Sequence, residues 1–211
     1  MKKALLGVAA AIALVAIPLA AQASIFQFNA ILNQGNEVGA IANVSSATGV
    51  ATLSYNDFGT LSLADDKYNF SMAVFGLNAP ASGFHIHGAA TTTENAPVRV
   101  FLDTSPFVSL VSGATLLVGG NAVTAPVSIP ATPISGVNAG HPSMSFLAIL
   151  QGGLAYVNVH TPLALGGNPG GEVRGQLVQV AVVPEPETFA MLLAGLGLVG
   201  WASARRRNKA A

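Results

Sequence analysis

Tyr68-Asn69-Phe70-Ser71-Met72-Ala73-Val74 repeats every two residues, with Tyr68, Phe70, Met72 and Val74 on one face of a strand and Asn69, Ser71 and Ala73 on the other. The same period recurs upstream, where Phe26, Phe28, Ala30 and Leu32 alternate with Gln27, Asn29 and Ile31. It recurs again in Val50–Tyr55, with Leu53 and Tyr55 on one face. Val98–Leu102, Leu154–His160 and Val173–Val180 are further candidate strands, rich in the β-branched and aromatic residues that a half-buried pleated surface favours. Turn residues such as Gly49 and Gly76 punctuate these runs, the pattern of an all-β sandwich or barrel. One segment differs: Ser143–Gln151, closed by Gly152-Gly153, predicts a short helix with Ser143 as N-cap and Gly152 as the C′ residue. Ser112–Pro142 is rich in Gly, Pro, Ser, Thr and Val and is expected to be loop with one or two weak strands.

Both ends of the 211-residue chain have the composition of processing segments. Lys2 and Lys3 precede an apolar run, Ala4–Ala20, and Ala21-Gln22-Ala23 offers small residues at the two positions a signal peptidase reads. Cleavage is expected between Ala23 and Ser24. At the other end Phe189–Ala204 is uncharged and is followed by Arg205-Arg206-Arg207 and Lys209. Sixteen helical residues rise about 24 Å, slightly short of the roughly 30 Å hydrocarbon core. The basic tail stays cytoplasmic, which puts everything before Phe189 outside. Val182–Thr188, with two prolines and two acidic residues, suits an extended tether. The boundaries are therefore 1–23 for a signal peptide, 24–181 for one domain with a core of its own, and 182–211 for a C-terminal sorting segment.

The formal charge of zero hides an asymmetry. All nine acidic residues lie between Ser24 and Thr188 but only Lys67, Arg99 and Arg174 are basic there, a net charge of −6. That leaves nucleic-acid binding without an electrostatic footprint. With no cysteine, disulfides, thiolate metal sites and a cysteine nucleophile are excluded. Nor does the chain carry a Gly-x-Ser-x-Gly elbow, and Gly166-Gly167-Asn168-Pro169-Gly170-Gly171 lacks the lysine of a phosphate loop and reads as a flexible hairpin.

His85-Ile86-His87 is the most informative triplet, because residues two apart on a strand project together and could bind one metal ion. His160 closes the Tyr156–His160 strand and is the candidate third ligand. Glu172 and Arg174 alternate onto one face of the last strand beside Gln176, and Glu37 sits in a turn near the start. Equally, the histidines can be a hydrogen-bonded pair near a sheet end, with Glu37, Glu172 and Arg174 as a supporting polar cluster in which buried Glu and Arg pair. His141, in a Gly-Pro-flanked loop, is set aside.

Pro184-Glu185-Pro186, the apolar run and the arginine cluster resemble a PEP-CTERM sorting signal. The resemblance implies cleavage by an exosortase, with release or attachment in the envelope of a Gram-negative bacterium that makes exopolysaccharide. Phe28-x-Ala30-x-Leu32, Asn36-Glu37-Val38, Gly83–Gly88, Tyr156–Thr161 and Pro169–Leu177 together resemble the CHRD domain, which implies an all-β body and no established activity. More distantly, Gly83–His87 and the His160 segment with its Gly-rich loop and Arg174 are similar to copper/zinc superoxide dismutase. That similarity implies a Greek-key-like sandwich or barrel with copper on His85, His87 and His160. No histidine-rich zinc segment follows His87, so dismutase activity is not expected. The leading expectation is a non-catalytic structural or interaction module at the cell surface, with extracellular matrix or polysaccharide as candidate partners. The alternative is a copper-binding protein.

Overall fold

The computed structural model describes residues 23–126, 144–181, 192–200 and 205. The three segments with the clearest two-residue period form its middle: β1 (Ile25–Asn33), β2 (Thr48–Asn56) and β3 (Lys67–Phe75). Their register lines apolar residues into rows. Phe28 lies opposite Leu53 and Leu53 opposite Phe70; Ala30, Ala51 and Met72 form the next row, and Phe26, Tyr55 and Tyr68 another. Cross-strand rows of this kind are what stabilise a sheet, and a one-residue slip would turn every one of them to water. The opposite face is mixed, with Gln27 donating to Ser54 at 2.9 Å and Thr52 bonded to Ser71 at 2.8 Å beside exposed Ile31 and Val50.

Seven more strands follow among the described residues. They are β4 (Gly83–His87), β5 (Val98–Phe101), β6 (Val108–Ser112), β7 (Thr115–Thr124), β8 (Tyr156–His160), β9 (Val173–Gln176) and β10 (Val178–Val180). All pairings are antiparallel, in the order β5-β4-β8-β9-β1-β2-β3-β7-β6, with β10 also on β1. The links β3–β4, β5–β6 and β7–β8 carry the chain between the two halves, so the order is not a simple meander. One hydrophobic cluster takes side chains from both halves, including Phe84, Ile86 and Val159 from one and Phe70, Val74 and Leu116 from the other. The sheet is therefore curled around its core as a half-barrel. Helix α1 (Phe146–Gln151) plugs it, with Phe146 against the rings of Tyr55 and Tyr68 at 6.4 and 5.5 Å.

Three expectations are corrected. Helix α1 is capped by Ser145, whose hydroxyl accepts from the Ala148 N–H at 3.1 Å; Gly152 is the C-cap and Gly153, at φ +64°, the left-handed residue beyond it. Ser143 and His141 lie outside the described residues. After Ser112, where loop with one or two weak strands is expected, the ten-residue strand β7 forms in place of a weak one. Its Gly119-Gly120 pair reads as loop, yet Gly120 is bare because a Cβ there would run into the Phe107 ring. The single strand expected over Val173–Val180 is two, broken where Leu177 turns into the core and its N–H bonds to Ala155. The N-terminal apolar run with Ala21 lies outside the described residues. Residues 192–200 are helical and exposed. Among the described residues no helix is long and apolar enough to cross a membrane.

Candidate functional site

On β4, β8 and β9 the alternation buries both faces. Phe84, Ile86, Val157, Val159 and Val173 enter the core, so His85, His87, Tyr156, Asn158, His160, Arg174 and Gln176 share the other side. Register aligns them: His85 lies opposite Asn158 and Asn158 opposite Arg174, while His87 lies opposite Tyr156 and Tyr156 opposite Gln176. Loops roof this polar face. Ala96 accepts from His87 Nδ1 at 2.8 Å, Asn95 and Thr91 accept from the Arg174 guanidinium at 3.1 and 2.9 Å, and Asn36 donates to the Arg174 carbonyl at 3.1 Å.

The three expected histidines come together. Ring centroids are 5.2 Å apart for His85 and His160, 5.6 Å for His85 and His87, and 6.1 Å for His87 and His160. One nitrogen from each lies within 4.8 Å of the others. Hydrogen bonding selects which. His87 and His160 each give Nδ1–H to a carbonyl, that of Ala96 and that of Pro169 (3.0 Å), leaving both Nε2 lone pairs free. His85 Nδ1 and His87 Nε2 are buried without a protein partner. Burial lowers the pKa of all three, to about 4 for His87, and each imidazole is therefore neutral at pH 7. Neutral, oriented imidazoles are what a metal ion requires. Bonds of about 2.0–2.1 Å would hold tetrahedral nitrogens about 3.4 Å apart, so an ion would draw this cluster inward. Asp103 Oδ2 lies 3.9 Å from His85 Nε2.

Glu172 and Arg174 do not pair with each other, contrary to one sequence expectation. Glu172 is fully buried and accepts from Ser45 Oγ and Asn78 N, each at 2.6 Å, and from Thr161 Oγ1. It therefore ties together three connecting segments. Arg174, 1% exposed, lies 3.5 Å over the Tyr156 ring, which in turn stacks on His87 at 4.9 Å and 7°. Residue parity places Glu and Arg on one side, but says nothing of loops that arrive to claim each separately. Glu37 accepts from Asn158 at 3.4 Å, and burial pushes its carboxyl up to about 7 against the opposing pull of Arg174. Gly171, at φ +138°, makes room for it, since a Cβ there would lie 2.6 Å from Glu37 Oε2. A cleft of about 280 Å³ opens beside them, lined by Asn36, Glu37, Thr92, Arg174 and Gln176.

With this geometry in place the comparisons with known proteins are decisive for family. The model of the CHRD domain matches residues 28–177. The chain belongs to the CHRD-domain family. No curated protein and no solved structure matches it. A second model, the PEP-CTERM protein-sorting motif, matches residues 182–207, directly after the CHRD domain. That motif indicates export, association with the bacterial cell envelope and processing by exosortase. Pro184, Glu185 and Pro186 fall within the matched segment and outside the described residues.

Within the CHRD domain, sequence reasoning missed Tyr156 and Asn158, although both share the parity of His160 and so were readable as its neighbours. It also missed Asn168 in the glycine-rich loop. This residue is buried and exchanges hydrogen bonds with Asn43 at 2.8 and 3.0 Å, so the loop is a fastened one. No sequence signal distinguishes it from an ordinary turn asparagine.

Proposed function

We propose that the chain is an exported module displayed at the cell surface or in the extracellular matrix, where its CHRD domain plays a non-catalytic structural or binding role. The observation that carries this is the PEP-CTERM motif immediately after the last strand of the domain. The linker beginning at Val182 then serves as a tether between body and membrane until exosortase acts. Fractionation of a bacterium making the tagged chain tests it. The expected product is shortened at both ends and sits in the envelope or medium. A full-length chain in the cytoplasm defeats it.

The histidine cluster favours a second reading, that the CHRD domain holds copper on His85, His87 and His160. Three neutral imidazoles within 4.8 Å, without a carboxylate among them, are a donor set that suits copper. Register brings these side chains together, with His-x-His on β4 and the third histidine on its neighbour β8. Held there, copper would supply redox chemistry. The chain's own part is to keep the imidazoles neutral and aimed. Metal analysis of the exported protein, with His85→Ala plus His160→Ala as control, separates the two. About one copper per chain, lost in the double variant, supports the second reading; no copper in either protein leaves the first standing alone.

A further inference from the structure

Among the described residues strand β6 ends the sheet and pairs only with β7. All five of its residues, Val108-Ser109-Leu110-Val111-Ser112, are exposed, Val108 at 77% and Leu110 at 58%. A free edge presents unpaired N–H and C=O groups, and proteins guard such edges with charge, proline, a bulge or a cover. This edge has no such guard among the described residues. Residues 107–125 contain neither a charge nor a proline, and the β6–β7 register runs without a shift. The opposite end of the sheet, β5, is four residues long and carries Arg99.

The outward face leads to the same place. Ile31 lies opposite Val50, Val50 opposite Ala73, Ala73 opposite Leu117, and Leu117 opposite Leu110. This apolar row crosses five strands of an otherwise Ser/Thr/Asn-rich face and stops at Leu110, on the open edge.

We propose that β6 is a self-association edge, at which two copies of the chain pair β6 antiparallel about a two-fold axis through Leu110. The strand is self-complementary about that midpoint: Leu110 meets its own copy, Val108 meets Ser112 of the second copy, and Ser109 meets Val111. Such an isologous contact closes as a dimer and joins the two apolar rows into one. Charge selects a second copy at this edge. Residues 24–181 hold seven acidic against three basic side chains, a net charge of −4, so two copies repel over much of their surface. Residues 104–171 carry no Asp, Glu, Lys or Arg, and β6 lies among them. A five-residue strand pair is on the order of half a standard interface of about 800 Å² per partner. The dimer is accordingly concentration-dependent and suited to a crowded, tethered layer.

The absence of native cysteine makes the test direct. Opposed residues of an antiparallel pair lie about 4.5–5.5 Å apart at Cα, within disulfide range, whereas Val108 would lie four residues, about 13 Å, from its own copy. The full chain carrying Leu110→Cys, exported and mildly oxidised, is expected to run as a dimer on a non-reducing gel, and Val108→Cys as a monomer. Sedimentation of the processed wild-type protein should show a dimer growing with concentration. Leu110→Lys, with unchanged circular dichroism, should weaken it at least tenfold, and Leu110→Ser provides the same comparison if the lysine variant fails to fold. Cross-linking at neither position or equally at both, or a dimer indifferent to both substitutions, overturns the proposal. So does a monomer at all concentrations whose β6 amides are protected from hydrogen exchange, because another part of the chain then covers the edge.

Discussion

Replacing Glu172 by alanine removes the acceptor that joins three connecting segments of the CHRD domain. The carboxylate takes hydrogen bonds from Ser45 Oγ, Asn78 N and Thr161 Oγ1 in a fully buried position. Each bond to a charged acceptor contributes about 1.5–3 kcal/mol. The three do not simply add, since the two hydroxyls can turn to other acceptors and deleting the charge also removes its desolvation cost. The expected loss is about 3–5 kcal/mol, the range for stripping one partner from a buried charged network. For a domain of this size that lowers Tm by roughly 6–20 °C. Glu172→Gln keeps the shape and one acceptor but turns an amide N–H toward a donor, and should cost about half as much. Urea unfolding of the exported domain, followed by tryptophan-independent circular dichroism, measures both. A loss below about 1 kcal/mol for Glu172→Ala would refute the assignment of Glu172 as the joint between these segments.

Acid should destabilise the domain through His87. Its folded pKa of about 4 lies below the ordinary imidazole value of about 6.5, so the unfolded chain takes up a proton that the folded one refuses. The contribution of this residue is full above about pH 6.5 and falls by about 3 kcal/mol as pH drops toward 4, a loss that denaturant midpoints show once Glu37 is replaced. Glu37, raised to about 7, works in reverse: its contribution is full below about pH 4.5 and is lost as pH rises through 7. Over the shared window the two nearly offset each other, so Glu37→Gln should steepen the acid loss; a pH profile that this substitution leaves unchanged would count against the Glu37 assignment. Gly171→Ala should destabilise by about 2 kcal/mol, because its φ of +138° and the adjacent Glu37 carboxylate both resist a side chain. A neutral effect in thermal unfolding would mean that Glu37 does not sit against that turn.

What the sequence made legible follows from where one face is wet and the other dry. β1, β2 and β3 announce themselves because Gln27, Asn29, Asn69 and Ser71 stand between core residues. β7 does not, because the glycine that admits Phe107 looks like a loop residue when Phe107 is not yet beside it. On β4 and β8 the alternation correctly groups His85, His87 and His160, since parity on paired strands is a local property. The separate fates of Glu172 and Arg174 depend on Ser45, Asn78, Thr91 and Asn95, which are distant in sequence and arrive only through the loops. The C-terminal sorting motif was readable for a different reason: such a signal is composition and order, and needs no fold to be recognised.

The proposed copper site at the three clustered imidazoles is tested most directly by titrating the exported protein with copper and recording its electron paramagnetic resonance. Three nitrogen ligands per copper are expected in the wild type, with the signal lost in His85→Ala plus His160→Ala. A spectrum of loosely held, oxygen-ligated copper that the double variant leaves unchanged would contradict the site.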